Sequence, residues 1–189
     1  MLKQEIVLEQ LKKIKEPKVV IEIGTQFFPS TDPRAKTYGC VTEHLAQYCK
    51  EVKATFYTVD IEPEHTQFIL NLAQEQNLPI NVINSDGNLF LSHLRERIDF
   101  LYLDSADDPK ISFEQFKTVE PYLTQEAIVV IDDIKWWNNF PTQLEGKGSL
   151  LLPYCRKRGY SVQVIKADHG GSMGIISGLL IYSLPCPSS

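Results

Sequence analysis

The sequence predicts an α/β fold: an open, mainly parallel sheet with helices on both faces, closed by an antiparallel hairpin. Three observations predict it. Short apolar runs alternate with amphipathic stretches along the chain. Five strand–helix units follow one another, the pattern of a parallel sheet whose crossovers are helices. The last two runs, 160–166 and 175–183, are separated only by 167–174, which contains Gly170-Gly171. A parallel crossover needs about a dozen residues or more, so these two strands must form a hairpin.

Each element has a local reason. Residues 2–15 place Leu2, Ile6, Leu11 and Ile14 near helical spacing, and Pro17 stops the helix. This N-terminal helix, within 1–16, offers a face that can pack on a second copy in a homo-oligomer. The strand 19–23 ends at Gly24, and a loop insertion at 25–38 precedes a helix over 39–51. The strand 55–59 ends at Asp60 and is followed by a helix over 64–75. The strand 80–83 leads to Ser85-Asp86-Gly87 and a short helix at 88–96. The strand 99–103 ends at Asp104, with a helix at 112–123 after it. The strand 127–131 ends at Asp132-Asp133, and a last helix covers 147–158.

A chain of 189 residues suits one domain spanning 1–189. Its 43% apolar content excludes disorder as the main state. A net charge of -5 argues against a partner rich in phosphate or anionic lipid, so neither nucleic acid nor membrane is expected. No apolar run approaches the roughly 20 residues of a membrane span. Charges at Lys3 and Glu5 stand where a secretory peptide is apolar, so a cytoplasmic location is expected. Cys40, Cys49, Cys155 and Cys186 have no two-residue spacing that would suggest zinc or redox chemistry, and read as free thiols.

Ligands of open parallel sheets bind beyond the carboxyl ends of the strands. Those ends carry Gly24, Asp60, Asp86, Asp104 and Asp132-Asp133. One such Asp can simply cap a helix or start a turn; a glycine or carboxylate at five successive ends asks for more. Gly24, within Glu22-Ile23-Gly24-Thr25, lets the backbone approach a ligand closely. Asp60 can accept hydrogen bonds from vicinal ribose hydroxyls, and Asp86-Gly87 can meet an adenine. After Gly24 come Thr25, Gln26 and Phe27, so the glycine fingerprint of dinucleotide folds is absent. An adenosine ligand without a diphosphate fits best.

Ile21-Glu22-Ile23-Gly24, Val59-Asp60-Ile61-Glu62-Pro63 and Asn84-Ser85-Asp86-Gly87 resemble the first three motifs of class I S-adenosylmethionine-dependent methyltransferases. The likeness spans about 18–183. It implies a Rossmann-like seven-stranded sheet in the order 3-2-1-4-5-7-6 with strand 7 reversed. It also implies a cofactor site at Glu22, Gly24, Thr25, Gly39, Asp60, Ile61, Asp86, Gly87 and Asp104, with S-adenosylmethionine as cofactor. Asp99 to Asp104 and Val129 to Asp133 are similar to the metal motifs of catechol-type and macrocin-type O-methyltransferases. That likeness implies Mg²⁺ on Asp104, Asp132 and Asp133, and a small hydroxylated substrate. Hard Mg²⁺ prefers oxygen ligands and would acidify a bound hydroxyl.

Asp104 and Asp107 are the candidate catalytic carboxylates, with Asp108 and Lys110 beside them; His169 lies in the final hairpin. Trp136, Trp137 and Phe140 suggest a wall for an aromatic or sugar-ring substrate. The sequence departs from the family in the 25–38 loop, which reads either as a substrate lid, given Phe27 and Phe28, or as a sign that cofactor binding has been lost, and Gly39 reads as the displaced later glycine. The histidine that follows the first metal Asp in macrocin-type enzymes is also missing. The rivals are a catalytically retired methyltransferase fold acting as a binding domain, and a nicotinamide-dependent oxidoreductase.

Overall fold

The strand β1 (Val19–Ile23) is buried along its whole length, because its alternate side chains enter two different cores. Val19, Ile21 and Ile23 face one side of the sheet, and Val20 faces the other. The structure, a computed structural model, describes residues 1–35, 39–136, 146–168 and 171–178, with backbone alone for Lys135 and Trp136.

Around β1 lie β2 (Thr55–Asp60), β3 (Ile80–Asn84), β4 (Ile98–Leu103), β5 (Leu123–Trp136), β6 (Ser161–Lys166) and β7 (Gly171–Ser177). Their order in the sheet is β3-β2-β1-β4-β5-β7-β6, and β7 runs antiparallel to both neighbours. Helices α1 (Lys3–Leu11) and α2 (Val41–Val52) pack Ile6, Val7, Leu11 and Leu45 on one face. Helix α3 (Pro63–Gln76) follows β2. Helices α4 (Gly87–His93), α5 (Pro109–Val119) and α6 (Gly148–Lys157) cover the opposite face through Leu91, Phe116 and Leu151. The expected fold and strand order are those observed.

Several boundaries differ for local reasons. Helix α5 starts three residues early because Asp108 caps it, accepting from the Lys110 N–H at 2.8 Å, with Pro109 in the first turn. Strand β7 starts at Gly171, four residues before the expected start. Strand β5 does not end at Ile131. Asp133 takes a left-handed φ of 46°, the register with β7 shifts, and pairing resumes at Lys135 opposite Ser172. The Asp pair therefore sits on a bend inside a long strand. The apolar face of α1, read as able to pack on a second copy, packs Ile6, Val7 and Leu11 on this chain's own core.

Candidate active site

The parallel register aligns the strand ends. Ile23 pairs with Val59 and with Leu103, and Leu103 with Ile131. Gly24, Asp60, Asp104 and Asp132 therefore stand one residue beyond a common row. A cavity of about 260 Å³ opens there, lined by Glu22, Gly24, Thr25, Gly39, Asp60 and Asp104 of the expected set. Lys3, Gln26, Phe27, Thr42, His65, Tyr102 and Asp133 complete much of the wall. A larger hollow of about 440 Å³, lined by Ile14, Asp99 and Thr124 among others, lies at the opposite, amino-terminal edge of the sheet. The carboxyl-end cavity is the candidate, because there the row of carboxylates converges on it.

On the β1–β2 side the geometry is set by the backbone. Gly24 has φ of 90°, and a Cβ there would lie 2.2 Å from the Asp104 carbonyl oxygen, so only glycine fits. Gly39 has φ of 81° just before α2. Asp60 Oδ2 accepts from the Thr25 N–H at 2.9 Å and lies 3.3 Å from His65 Nδ1; Oδ1 accepts from the Glu62 N–H at 2.9 Å. Phe27 stacks on His65, with ring centroids 4.7 Å apart. Gln26 Oε1 accepts from the Glu43 N–H at 3.0 Å in the first turn of α2, and the Gln26 N–H donates to Thr42 Oγ1 at 2.9 Å. Phe28 is buried with Ala35 and Cys40. The described part of the 25–38 insertion is thus fastened to α2. Beneath it Glu22 is fully buried, and Thr58 Oγ1 donates to its Oε2 at 2.6 Å. Burial pushes the Glu22 carboxyl up to about 8; the Thr58 and Thr42 hydroxyls pull it down, and Asp104 and Asp60 push it further up.

On the β4–β5 side the geometry is set by side chains. Asp104, Asp132 and Asp133 can each bring one oxygen within 4.8 Å of the others. Lys3 Nζ donates to Asp132 Oδ2 and lies 3.5 Å from Asp133 Oδ2. Lys147 Nζ donates to Asp104 Oδ1 at 2.8 Å and lies 3.6 Å from Asp107. The Tyr102 hydroxyl bridges Asp132 Oδ2 at 3.1 Å and Asp104 Oδ2 at 3.2 Å. Asp132 Oδ1 accepts from the Asp133 N–H at 2.9 Å. Burial would lower the Lys3 ammonium, but the carboxylates of Asp132, Asp104 and Asp133 outweigh it and keep the lysine charged. Lys147 is raised in the same way, burial opposing and Asp104 leading. Asp132 is pushed up to about 7, by burial first and then by Asp104, with Lys3 opposing. Burial and the neighbouring carboxylates hold the Tyr102 phenol far above its usual range.

These lysines were not among the expected residues, yet the sequence carries a trace of both. Lys3 occupies the buried stripe of α1 with Ile6, Val7, Gln10 and Leu11, at helical spacing. Lys147 sits between Gly146 and Gly148. A Cβ on Gly146 would lie 2.4 Å from the Ile134 carbonyl oxygen, so the missing side chain lets this segment press against β5.

Other expected residues stand elsewhere. Asp86 caps α4, accepting from the Leu89 N–H at 2.9 Å, and Gly87 packs against Ile23 and Gln115. Ile61 is exposed, and none of these three lines the cavity. The Asp107 side chain is 79% exposed and Lys110 is exposed, both outside the lining. Cys40, Cys49 and Cys155 are buried free thiols. His169, Trp137, Phe140 and Cys186, and the side chain of Trp136, lie outside the described residues.

Residues 37–134 match the family model described as a methyltransferase domain. The chain is a class I S-adenosylmethionine-dependent methyltransferase. No curated protein matches it in sequence. Solved structures share its fold. A Klebsiella pneumoniae protein assigned provisionally as an O-methyltransferase aligns with a TM-score of 0.65 at 14% identity, over 94% of this chain and 79% of its own. A Podospora anserina methyltransferase with bound S-adenosylhomocysteine gives 0.65 at 14%, over 92% and 75%. A Streptococcus thermophilus rRNA methylase gives 0.65 at 11%, over 95% and 99%. No described helix of this methyltransferase is long and apolar enough to cross a membrane.

The β1–β2 wall suits the cofactor of a methyltransferase: a glycine turn that admits close approach, a carboxylate at the next strand end, and hydroxyls and a buried acid beneath. The Mg²⁺ implied by the sequence likeness fits less well. The oxygen donors suit a hard cation. However, both oxygens of Asp104 and of Asp132 already accept from an N–H or O–H of the chain, and a buried ammonium sits beside each carboxylate.

Proposed function

We propose that this methyltransferase transfers the methyl group of S-adenosylmethionine to a hydroxyl of a small molecule, an aromatic or sugar-ring compound. The observation that carries the reading is the two-walled cavity. Gly24 and Asp60 stand on one wall, and Tyr102, Asp104 and Lys3 on the other. The cofactor supplies an activated methyl on sulfur. Asp60 accepts from the ribose hydroxyls, Gly24, Thr25 and Gly39 flank the methionine end, and the adenine extends toward Ile61, Asp86 and Gly87. The acceptor lies against the acidic wall. Asp104 receives its hydroxyl proton; Asp107, largely in solvent, is the weaker candidate. Most of the acceleration comes from alignment of the acceptor oxygen with the methyl group.

A net charge of -5 and the modest cavity favour a small acceptor over RNA. The likeness to the Klebsiella protein accords with oxygen as the acceptor. Calorimetry with S-adenosylmethionine is expected to show binding. A panel of catechols, phenolic acids, sugars and total RNA, each assayed with methyl-labelled cofactor, is expected to label a small hydroxylated compound. Running every assay both in EDTA and in Mg²⁺ tests metal assistance. Label confined to RNA would overturn the acceptor class, and absence of cofactor binding would support the retired-fold reading.

A further inference from the structure

We propose that the Lys3 and Lys147 ammonium groups take the place of a divalent cation at the acceptor wall, so that this acidic cluster needs no metal and binds none. The inference rests on the acceptor wall proposed above, but its test does not require the acceptor.

Three carboxylates able to bring oxygens within 4.8 Å of one another demand compensating charge. In this chain the compensation is built in. Lys3 is 5% exposed and reaches Asp132 and Asp133; Lys147 is 2% exposed and reaches Asp104. The Tyr102 hydroxyl lies within hydrogen-bond reach of both Asp104 and Asp132 and supplies one further donor between them. Mg²⁺ demands oxygen ligands at about 2.0–2.1 Å in near-octahedral geometry. To enter, it would have to push a buried ammonium off its carboxylates.

The backbone segments that carry the two lysines are also held in place. The Lys3 backbone is held, because Ile6, Val7 and Leu11 on the same helix are buried in the core. The Lys147 backbone is held too: its carbonyl accepts from Ser112 Oγ at 2.7 Å, and Gly146 and Gly148 press against Ile134. These constraints give the ammonium groups the fixed position that a bound ion would otherwise have. Lys3, unlike a metal, carries three N–H donors, and its place on the cavity wall brings it to the acceptor oxygen.

Manganese is a direct probe, because free Mn²⁺ has an electron paramagnetic resonance signal that binding removes. With the full chain at neutral pH, millimolar Mn²⁺ alone is expected to keep its signal, with and without S-adenosylmethionine. Lys3→Met, confirmed folded by circular dichroism, should open the carboxylates and bind Mn²⁺ at least tenfold more tightly than the parent. Asp132→Asn in that background should abolish the gain. Mn²⁺ binding by the parent chain that Asp132→Asn removes would overturn the proposal. So would a folded Lys3→Met that binds no more Mn²⁺ than the parent. Should Lys3→Met not fold, Lys147→Met is read in the same way, and the parent measurement remains decisive. Calorimetry with S-adenosylmethionine on the same samples separates this result from the methyltransferase reading, since loss of cofactor binding would leave the Mn²⁺ outcome standing.

Discussion

On the β1–β2 side of the strand-end row, Asp60 is held by N–H groups of Thr25 and Glu62 and by His65, nearly all of them from its own turn or the adjacent one. On the β4–β5 side, Asp104 and Asp132 are held by lysines that arrive from 43 and 129 residues away. The same residue type, at the same register, is thus used in two ways. Asp60 is placed mainly by backbone N–H groups of two neighbouring turns and lines the cavity. Asp132 is placed mainly by a buried ammonium and a phenol, and stands behind the lining. A carboxylate at a strand end predicts a polar site; what surrounds it decides whether the site is open to a cation.

The contrast can be broken most severely at Lys3. Lys3→Met leaves Asp132, with no exposed surface, beside Asp104 without its nearest cation. Removing one partner of a buried pair costs about 3–5 kcal/mol of stability. Asp60→Asn should cost less, about 1–2 kcal/mol, because its amide keeps an oxygen for only one of the Thr25 and Glu62 N–H groups. Urea denaturation of both variants reads the difference. Equal losses would show that the two sides are held alike.

Gly24 joins the two sides, since its missing side chain is what lets β1 turn against the end of β4. Gly24→Ala puts a methyl group 2.2 Å from the Asp104 carbonyl oxygen at a φ of 90°. A loss of about 3 kcal/mol in stability is expected, together with loss of cofactor binding. A stable variant with normal affinity would mean that the turn is looser than this packing.

Asp60→Ala isolates the cofactor side. Charged hydrogen bonds contribute about 1.5–3 kcal/mol, so S-adenosylmethionine affinity should fall by roughly one to two orders of magnitude. Calorimetry measures this directly, and an unchanged dissociation constant in a folded variant would remove Asp60 from the ribose.

What the sequence made legible follows the same division. The strands themselves and the row of Gly24, Asp60 and Asp104 depend on local periodicity and on residues one step past an apolar run; the reversed last strand follows from a short connection, and the strand order from the likeness to a known family. Those signals survive in a single sequence. The bend at Asp133 does not, because a left-handed residue inside a strand leaves no periodic mark. Lys3 was hidden by its type: a lysine on a helix is read as solvated unless its place on the buried stripe is checked. Lys147 was hidden by distance, since nothing local to Gly146-Lys147-Gly148 names Asp104 as its partner. Asp86 marks the opposite limit. Its position suggested a ligand contact, and the structure shows a helix cap, a role that does not by itself exclude the other.

The smallest expected effect sharpens the comparison beneath both walls. Glu22 is buried under the cavity, and its carboxyl is pushed from the ordinary 4.5 up to about 8, by burial first. Because the folded-state value is raised, the folded chain holds a proton that the unfolded chain has released between those two pH values. The stability linked to that proton is complete below about 4.5, declines as pH rises through the window, and is lost above about 8. One proton corresponds to about 1.4 kcal/mol per pH unit, so stability should drop by roughly 1–1.5 kcal/mol between pH 7 and 9. Asp132 is raised too, by burial first, and adds a slope of the same sign that fades above about pH 7. Most of the fall between pH 7 and 9 therefore belongs to Glu22. Glu22→Gln keeps an oxygen for the Thr58 hydroxyl and removes this titration, so its stability should fall much less than the parent's from pH 7 to 9. Urea melts of both proteins at a series of pH values test this. Parallel curves would show that Glu22 is already ionised in the folded chain, and that the ground beneath the cofactor wall carries a charge rather than a proton.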